Sequence, residues 1–372
     1  MRHASLLAIA IALLFGAGRA TAGRADDNAP YGNAIVLDAR TGARDARFPV
    51  LSGTGAAVAD GSGGFYVAAA IADFPAGAIR HVRADGSVDP NLRVVITGTV
   101  PAALARSGGT LYLGGTFSGV GGLARRGMAA IDLRDGSVLP WAPAFRTEPG
   151  GARGALTLAL AGGNVIAGGV GNIAAYDGRT GRKRWSLDVD LAHDRSVPAL
   201  NGVVEDQVVV AGRLLVAGAF DRIRAAPAGR WIHIGGRAVP AELDPRTGRV
   251  LPWRAAARSL GDEILSLAAY RSTLFVAGYG SGYRVSLRSG RVLGSVRGRP
   301  MSVAASGGIL YLGGTLHDRL NIPNRNNLAG MDLGTGRVTA FAPRLTKFQS
   351  PGKIVVSGGH VLAVGEFVKS LG

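Results

Sequence analysis

The segment 108–141, GGTLYLGGTFSGVGGLARRGMAAIDLRDGSVLPW, constrains the fold more than any other stretch, because it recurs. Residues 307–341, GGILYLGGTLHDRLNIPNRNNLAGMDLGTGRVTAF, copy it closely, and 212–253 copy it loosely. The unit holds two short apolar runs, Leu111–Leu113 and Met128–Ile131 in the first copy, and ends on an aromatic, Trp141. Glycine pairs or an Asp-x-x-x-Gly turn bound each run. Self-similarity at a period of tens of residues marks a supersecondary unit that must stack on its neighbours to bury its apolar face.

Aligned on the second run and its turn, the unit occurs seven times. The copies are Ala34–Asp38 before Thr41-Gly42, Ile79–Arg83 before Asp85-Gly86, Ala129–Asp132 before Asp135-Gly136, Ile173–Asp177 before Thr180-Gly181, Val239–Asp244 before Thr247-Gly248, Arg284–Leu287 before Ser289-Gly290, and Leu328–Asp332 before Thr335-Gly336. The first run also occurs seven times, at 65–67, 111–113, 165–167, 214–216, 274–276, 309–312 and 361–364. Another short run, such as Leu156–Ala161 or Ile264–Ala268, precedes each. With an aromatic-tipped fourth run such as Val250–Trp253, each repeat carries four short strands, the blade of a β-propeller. In the Asp-x-x-Thr-Gly turn the carboxylate can accept following backbone N–H groups, and glycine supplies the left-handed conformation that a short hairpin needs.

The termini sharpen the expectation. The chain opens with half a repeat, Ala34–Phe48, and closes with the complementary half, Lys353–Phe367. Pairing the two in one shared blade would remove the exposed edges of an open array. The sequence therefore predicts an all-β fold: a seven-bladed β-propeller of four-stranded blades, closed by a two-plus-two shared N/C-terminal blade. Turns one–two and three–four are tight throughout. Connections two–three and four–one vary, from Gly169–Asn172 to Phe220–Arg237 and Asp188–Gln207, and fall on the opposite face. Variable loops on a rigid scaffold are where binding concentrates.

The first residues, MRHASLLAIAIALLFGAGRATAG, place Arg2 and His3 before an apolar run and small residues at 20–22, the pattern of a cleaved export signal. The expected organisation is a signal peptide over 1–22 and one propeller domain over 23–372, secreted or periplasmic. The apolar run is short for a bilayer span, so no stable membrane insertion is expected. Cysteine is absent, which excludes disulfides and thiol chemistry. Net charge is +17, carried by arginine, since lysine occurs only at 183, 347, 353 and 369. The arginines are spread through many turns and form no stripe. That disfavours nucleic acid and favours a solvated basic surface; the partner stays unassigned, with an anionic glycan or another exported protein as the candidates.

At Ala174-Ala175-Tyr176-Asp177-Gly178-Arg179-Thr180-Gly181-Arg182-Lys183-Arg184-Trp185 the chain resembles the pyrroloquinoline-quinone-type propeller repeat, whose turn and docking tryptophan follow this pattern. Residues 111–122 are similar to the Gly-Gly-Thr-Phe-Ser-x-Val-Gly-Gly repeats of secreted bacterial propeller proteins. The quinone-dependent dehydrogenases of the first family have eight blades, a vicinal cysteine pair and a calcium held by Glu, Asn and Asp. This chain has seven repeats, no cysteine and no run matching the calcium ligands. The resemblance thus implies a propeller without the enzyme's catalytic residues, and no cofactor is expected.

Candidate contacts lie on the long-loop face. The loop Phe220–Arg237 gathers Arg222, Arg224, Arg230, Trp231 and His233, arginines and an aromatic suited to an anionic or sugar-like ligand. His193 and Asp194, and His317 and Asp318, fall in further long loops and with His233 form a weaker metal or acid–base possibility. Asp73, Glu205, Asp206, Asp221, Asp262 and Glu263 share that face, and pairing with neighbouring arginines is their expected fate. No triad, P-loop or metal motif is present, so no catalytic or metal residue is assigned. The expected function is binding or scaffolding. The alternative is a hydrolase or lyase using carboxylates or a His-bound metal at the channel mouth.

Overall fold

A computed structural model describes residues 34–71, 77–145, 154–191, 202–234, 240–252, 263–279, 282–296, 298–316, 327–343 and 352–365. All regular structure among them is β, and no helix there is long and apolar enough to cross a membrane. The repeats form antiparallel up-and-down sheets, and the sheet holding Ala34–Asp38 continues into the next repeat through Ala34↔Leu51. The sheets of Val203–Val210, Arg213–Ala219, Ala241–Leu243 and Val250–Leu251, and of Glu263–Tyr270, Thr273–Tyr279, Gly282–Ser286 and Val292–Val296, are four-stranded in chain order.

The two chain ends meet in one sheet. Ala34–Asp38 pairs with His360–Val364 over its whole length, from Ala34↔Val364 to Asp38↔His360, and Lys353–Ser357 completes that hairpin. His360 adds side-chain contacts, with Nδ1 2.8 Å from the carbonyl of Gly63 and Nε2 3.3 Å from Asp45.

The expected Asp turns are present. Asp38, Asp177 and Asp332 each accept the N–H of the threonine three residues on at 2.7 Å, and Gly42, Gly181 and Gly336 follow at φ 78°, 72° and 69°. The fourth strand departs from the expectation in three repeats, where it shrinks to one bridge: Leu37↔Arg44, Ile131↔Val138 and Met331↔Val338. Nearby prolines, Pro49, Pro140 and Pro343, cannot donate to a ladder, and the aromatics Phe48, Trp141 and Phe341 within two residues of them are buried instead.

That burial makes the joint between repeats. Trp141 is buried, donates Nε1–H to the carbonyl of Asp177 at 2.9 Å, and lies under Gly181 of the next turn. Trp185 repeats the contact on Pro245 at 3.1 Å, and a Cβ on Gly248 would fall 2.7 Å from its ring. The glycine thus provides both the backbone angle and the socket floor. Phe341 is buried the same way, with Ala342 donating to the Thr41 carbonyl at 2.9 Å.

Apolar layers lie between successive sheets. One joins Ala68 and Ile79 to Leu113 and Ile131, and another joins Ile166 and Leu187 to Leu214 and Leu243. The last joins Tyr311 and Leu328 to Ile35 and Val361. Towards the centre, first strands touch the first strands of the sheets on either side. Polar stitches cross there: Gln207 donates to Thr157 at 2.7 Å, the Leu267 N–H to Asp206 at 2.7 Å, and the Val303 N–H to Ser266 at 3.2 Å. Alternate strands run in opposite directions, so the tight turns and the long connections occupy opposite ends of the sheets.

Candidate functional site

The connection between Arg213–Ala219 and Ala241–Leu243 does not hang free as a loop. It folds into a hairpin, Arg222–Ala225 with Ile232–His233, that pairs onto Lys183–Asp190, the outer strand of the preceding sheet. The register puts Asp188 opposite Arg224 and Asp190 opposite Arg222, with all four side chains on one face. Arg224 Nε donates to Asp188 at 2.9 Å, and Arg222 pairs with Asp190. Trp231 completes the face: the guanidinium carbons of Arg222 and Arg224 lie 4.6 and 4.4 Å from its ring centroid. Stacking on an aromatic leaves a guanidinium's in-plane donors free to hold carboxylates.

Arg222, Arg224 and Trp231 are therefore brought together with His233 across from Arg222. The two arginines already hold carboxylates 32 and 36 residues earlier in the chain, partners that sequence spacing did not reveal. Arg230 and His233 are exposed on the hairpin. His193, Asp194, His317 and Asp318 lie outside the described residues, as do Asp73 and Asp262.

A second connection behaves alike. Gly119–Val120 and Leu123–Ala124 form a short hairpin that pairs onto Val88–Thr97 of the preceding sheet, through Ile96↔Val120 and Thr97↔Gly119. In both places the outer edge of one sheet is covered by the two–three connection of the next repeat.

At the inner strands a carboxyl cluster departs from the expected pairing with arginine. Burial holds the Glu205 carboxyl up to about 8, with Glu263 and Asp206 adding repulsion. Burial likewise pushes Glu263 to about 7. Asp206 is raised by burial and relieved in part by the Leu267 N–H and by Lys353, whose own ammonium burial lowers. Lys353 comes from the C-terminal hairpin, so this cluster draws on distant parts of the chain. A strand bulge at Val204/Asp206 and another at Ile264/Ser266 position these residues. Gly218 and Gly278 stand opposite, where a Cβ would meet the carbonyls of Val203 and Glu263 at 2.0 and 1.9 Å. Carboxyls whose proton affinity is raised towards neutral pH can exchange protons there. Among the described residues no three His, Asp or Glu side chains gather with metal-holding geometry.

The family model described as outer membrane protein assembly factor BamB, a model of PQQ-type repeats, matches residues 30–228, more than half of the chain. The chain belongs to this BamB-like family. Among solved structures, BamB from Moraxella catarrhalis superposes with a TM-score of 0.50 at 16% identity, covering 85% of this chain and 86% of that one. The WD40 β-propeller domain of Doa1 gives 0.53 at 14%, covering 90% and 94%. The extracellular domain of the one-component system BT4673 from B. thetaiotaomicron gives 0.53 at 13%, covering 90% of this chain and 39% of that one. No curated protein sequence matches. At these identities the structural likeness establishes the β-propeller architecture, and the family match establishes the PQQ-like repeat. The Trp141 and Trp185 joints are this BamB-like chain's version of that repeat's docking contact.

Proposed function

We propose that the protein is an exported, non-catalytic propeller that binds or scaffolds other exported macromolecules through its long-loop face. The observation that carries this reading is the division of labour between the two ends of the sheets. At the tight-turn end, the Asp and Gly residues of the repeat serve the turns and their docking aromatics. At the other end, the connections build additional hairpins that present Arg230, Trp231 and His233. Membership of the BamB-like family supports a binding or scaffold module. The export signal read over residues 1–22 supports a secreted or periplasmic site of action.

Arg222, Arg224, Arg230, Trp231 and His233 are the proposed contacts, and His193, Asp194, His317 and Asp318 extend the set on neighbouring loops. An anionic glycan or another exported protein fits this surface. No cofactor enters the reading. Photo-cross-linking residues at Arg230 and, for comparison, at Arg134 on the tight-turn end test it in the exporting cell. Adducts from position 230 alone are expected; adducts from 134 alone would overturn the assignment of the face.

Seven blades closed by the shared terminal blade form part of the proposal. Its support is the full-length pairing of Ala34–Asp38 with His360–Val364, and an apolar layer joining Phe341 to Ile35 and Leu37. Deleting residues 353–372 should lower the melting temperature of the whole molecule. A truncated chain that melts like the full one would sink the closure.

One observation favours a second reading, a hydrolase or lyase working at the channel mouth. Glu205 and Glu263 are carboxyls whose proton affinity burial raises, with Glu263 adding repulsion at Glu205, which suits an acid–base role. Turnover of a glycoside or lactone that disappears in Glu205→Gln and Glu263→Gln would replace the scaffold reading with this one.

A further inference from the structure

The two covering hairpins end in the same arrangement. One apolar row crosses three strands through Ile96, Val120 and Leu123, and another crosses through Val189, Ile223 and Ile232. The first two members of each row are buried, while Leu123 is 48% and Ile232 47% exposed. Each row is a core layer that runs out to the last strand of its sheet and stops in solvent. Leu123–Ala124 and Ile232–His233 are terminal in their sheets among the described residues.

The backbone at these edges faces outward in the same register. The Ile234 N–H donates to the Asp221 carbonyl at 3.0 Å, and the Arg125 N–H donates to the Ser118 carbonyl at 3.1 Å. The alternation of an antiparallel ladder then turns the N–H and C=O of His233, and of Ala124, away from their hairpin partners. Proteins usually blunt such edges with a charge or a proline pointing along them. Here the residue beside each outward backbone group is an exposed aliphatic.

The charge carried by the two hairpins themselves has one sign. Residues 116–127 and 222–234 contain no Asp or Glu and carry Arg125, Arg126, Arg222, Arg224 and Arg230. Asp188 and Asp190 engage Arg224 and Arg222, which leaves Arg230, exposed and close to Ile232 in sequence, as the arginine of this hairpin outside those pairs. An incoming strand would set its apolar residues against Ile232 and its alternate residues on the arginine-bearing face.

We propose that the Ile232–His233 edge captures an extended segment of another protein, alternating apolar and acidic residues, as an added β-strand. The Leu123–Ala124 edge is a second place of the same kind. This rests on the binding reading above and supplies the chemistry of its partner.

Fluorescence anisotropy on the full chain tests the idea with three labelled octapeptides: alternating Val and Glu, alternating Val and Lys, and the Val–Glu peptide broken by a central proline. The Val–Glu peptide should bind, and the other two at least tenfold more weakly. His233→Pro removes the outward N–H together with the exposed imidazole, so it should weaken binding at least tenfold with the melting temperature unchanged, and His233→Ala, which keeps the N–H, should weaken it less. Ile232→Lys should do the same and serves if the proline variant fails to fold. Equal binding of the Val–Lys peptide, wild-type affinity in Ile232→Lys, or no binding of any peptide at millimolar concentration would each overturn the proposal. So would dimerisation of the wild type that Ile232→Lys abolishes, since the occupant would then be a second copy. Cross-linked partners at position 230 that persist in His233→Pro would overturn the strand addition and leave the binding reading standing.

Discussion

The hydroxyl of Tyr311 donates to the carbonyl of Ala39 at 3.0 Å, across 272 residues of chain. Tyr112 makes the same bond to Gly178 at 2.9 Å inside the chain. The rings agree as well: Tyr311 meets Phe341 edge-on at 5.1 Å, and Tyr112 meets Trp141 at 5.0 Å. The last repeat thus receives the N-terminal strand through the contacts by which an internal repeat receives its successor. Tyr311→Phe and Tyr112→Phe should each cost about 1 kcal/mol in urea unfolding, the typical net worth of one such bond. A clear loss for Tyr112→Phe with none for Tyr311→Phe would mean that the terminal joint is not made in solution.

Trp141→Ala empties a fully enclosed socket and leaves the Asp177 carbonyl without its donor. The expected cost is about 3–5 kcal/mol, in the range for deleting a buried aromatic. Trp185 is only partly buried, so Trp185→Ala should cost less. Thermal melts that reverse this order would contradict the docking geometry.

Glu205 and Glu263 set a pH dependence of definite sign. Their folded-state values of about 8 and about 7 exceed the ordinary carboxyl value of 4.5, so the folded protein binds more protons across that window. Stability should therefore be greatest below about pH 4.5 on this account and fall as pH rises towards 8. Glu205→Gln removes part of the slope and should gain about 1–3 kcal/mol at pH 8. Melting temperatures from pH 5 to 8 that run parallel in variant and wild type would refute the assignment.

Asp60 acts in the opposite sense. Burial raises its carboxyl, but His81 at 3.0 Å, the Ser62 hydroxyl and N–H, and the Gly64 N–H together bring it down to about 2. The stability it supplies is present above the ordinary value of 3.8 and lost as pH falls towards 2. Asp60→Asn should cost about 2 kcal/mol at pH 7 and show a shallower acid transition. Identical acid melts would rule this role out.

What the sequence disclosed tracks the range over which each signal acts. The turns at Asp38, Asp177 and Asp332 are local: carboxylate, threonine and glycine sit within five residues, and the spacing alone dictates the bonds. The pairing of Ala34–Asp38 with His360–Val364 was legible from two half-repeats that complete each other. The Arg–Asp ladder was not, because Asp188 and Asp190 meet Arg224 and Arg222 only through a strand register. Two-residue strands such as Leu123–Ala124 are too short for an alternation pattern to show. The Glu205–Glu263 pairing was hidden for another reason: it needs two bulges, and a bulge has no charge signature.

A docking tryptophan and the glycine-floored turn that receives it are halves of a connector carried by every repeat that has both. Trp141 with Gly181 and Trp185 with Gly248 show that the connector fits irrespective of what lies in the loops between. Each such repeat brings its own half of the seam, so the joint at the tight-turn end is set by the repeat itself and not by the connections at the other end. The inserted hairpins add a second joint at the opposite end, where Ile223 packs with Leu187 and Val189 of the preceding sheet, so replacing such a hairpin changes that contact and leaves the tryptophan joint in place.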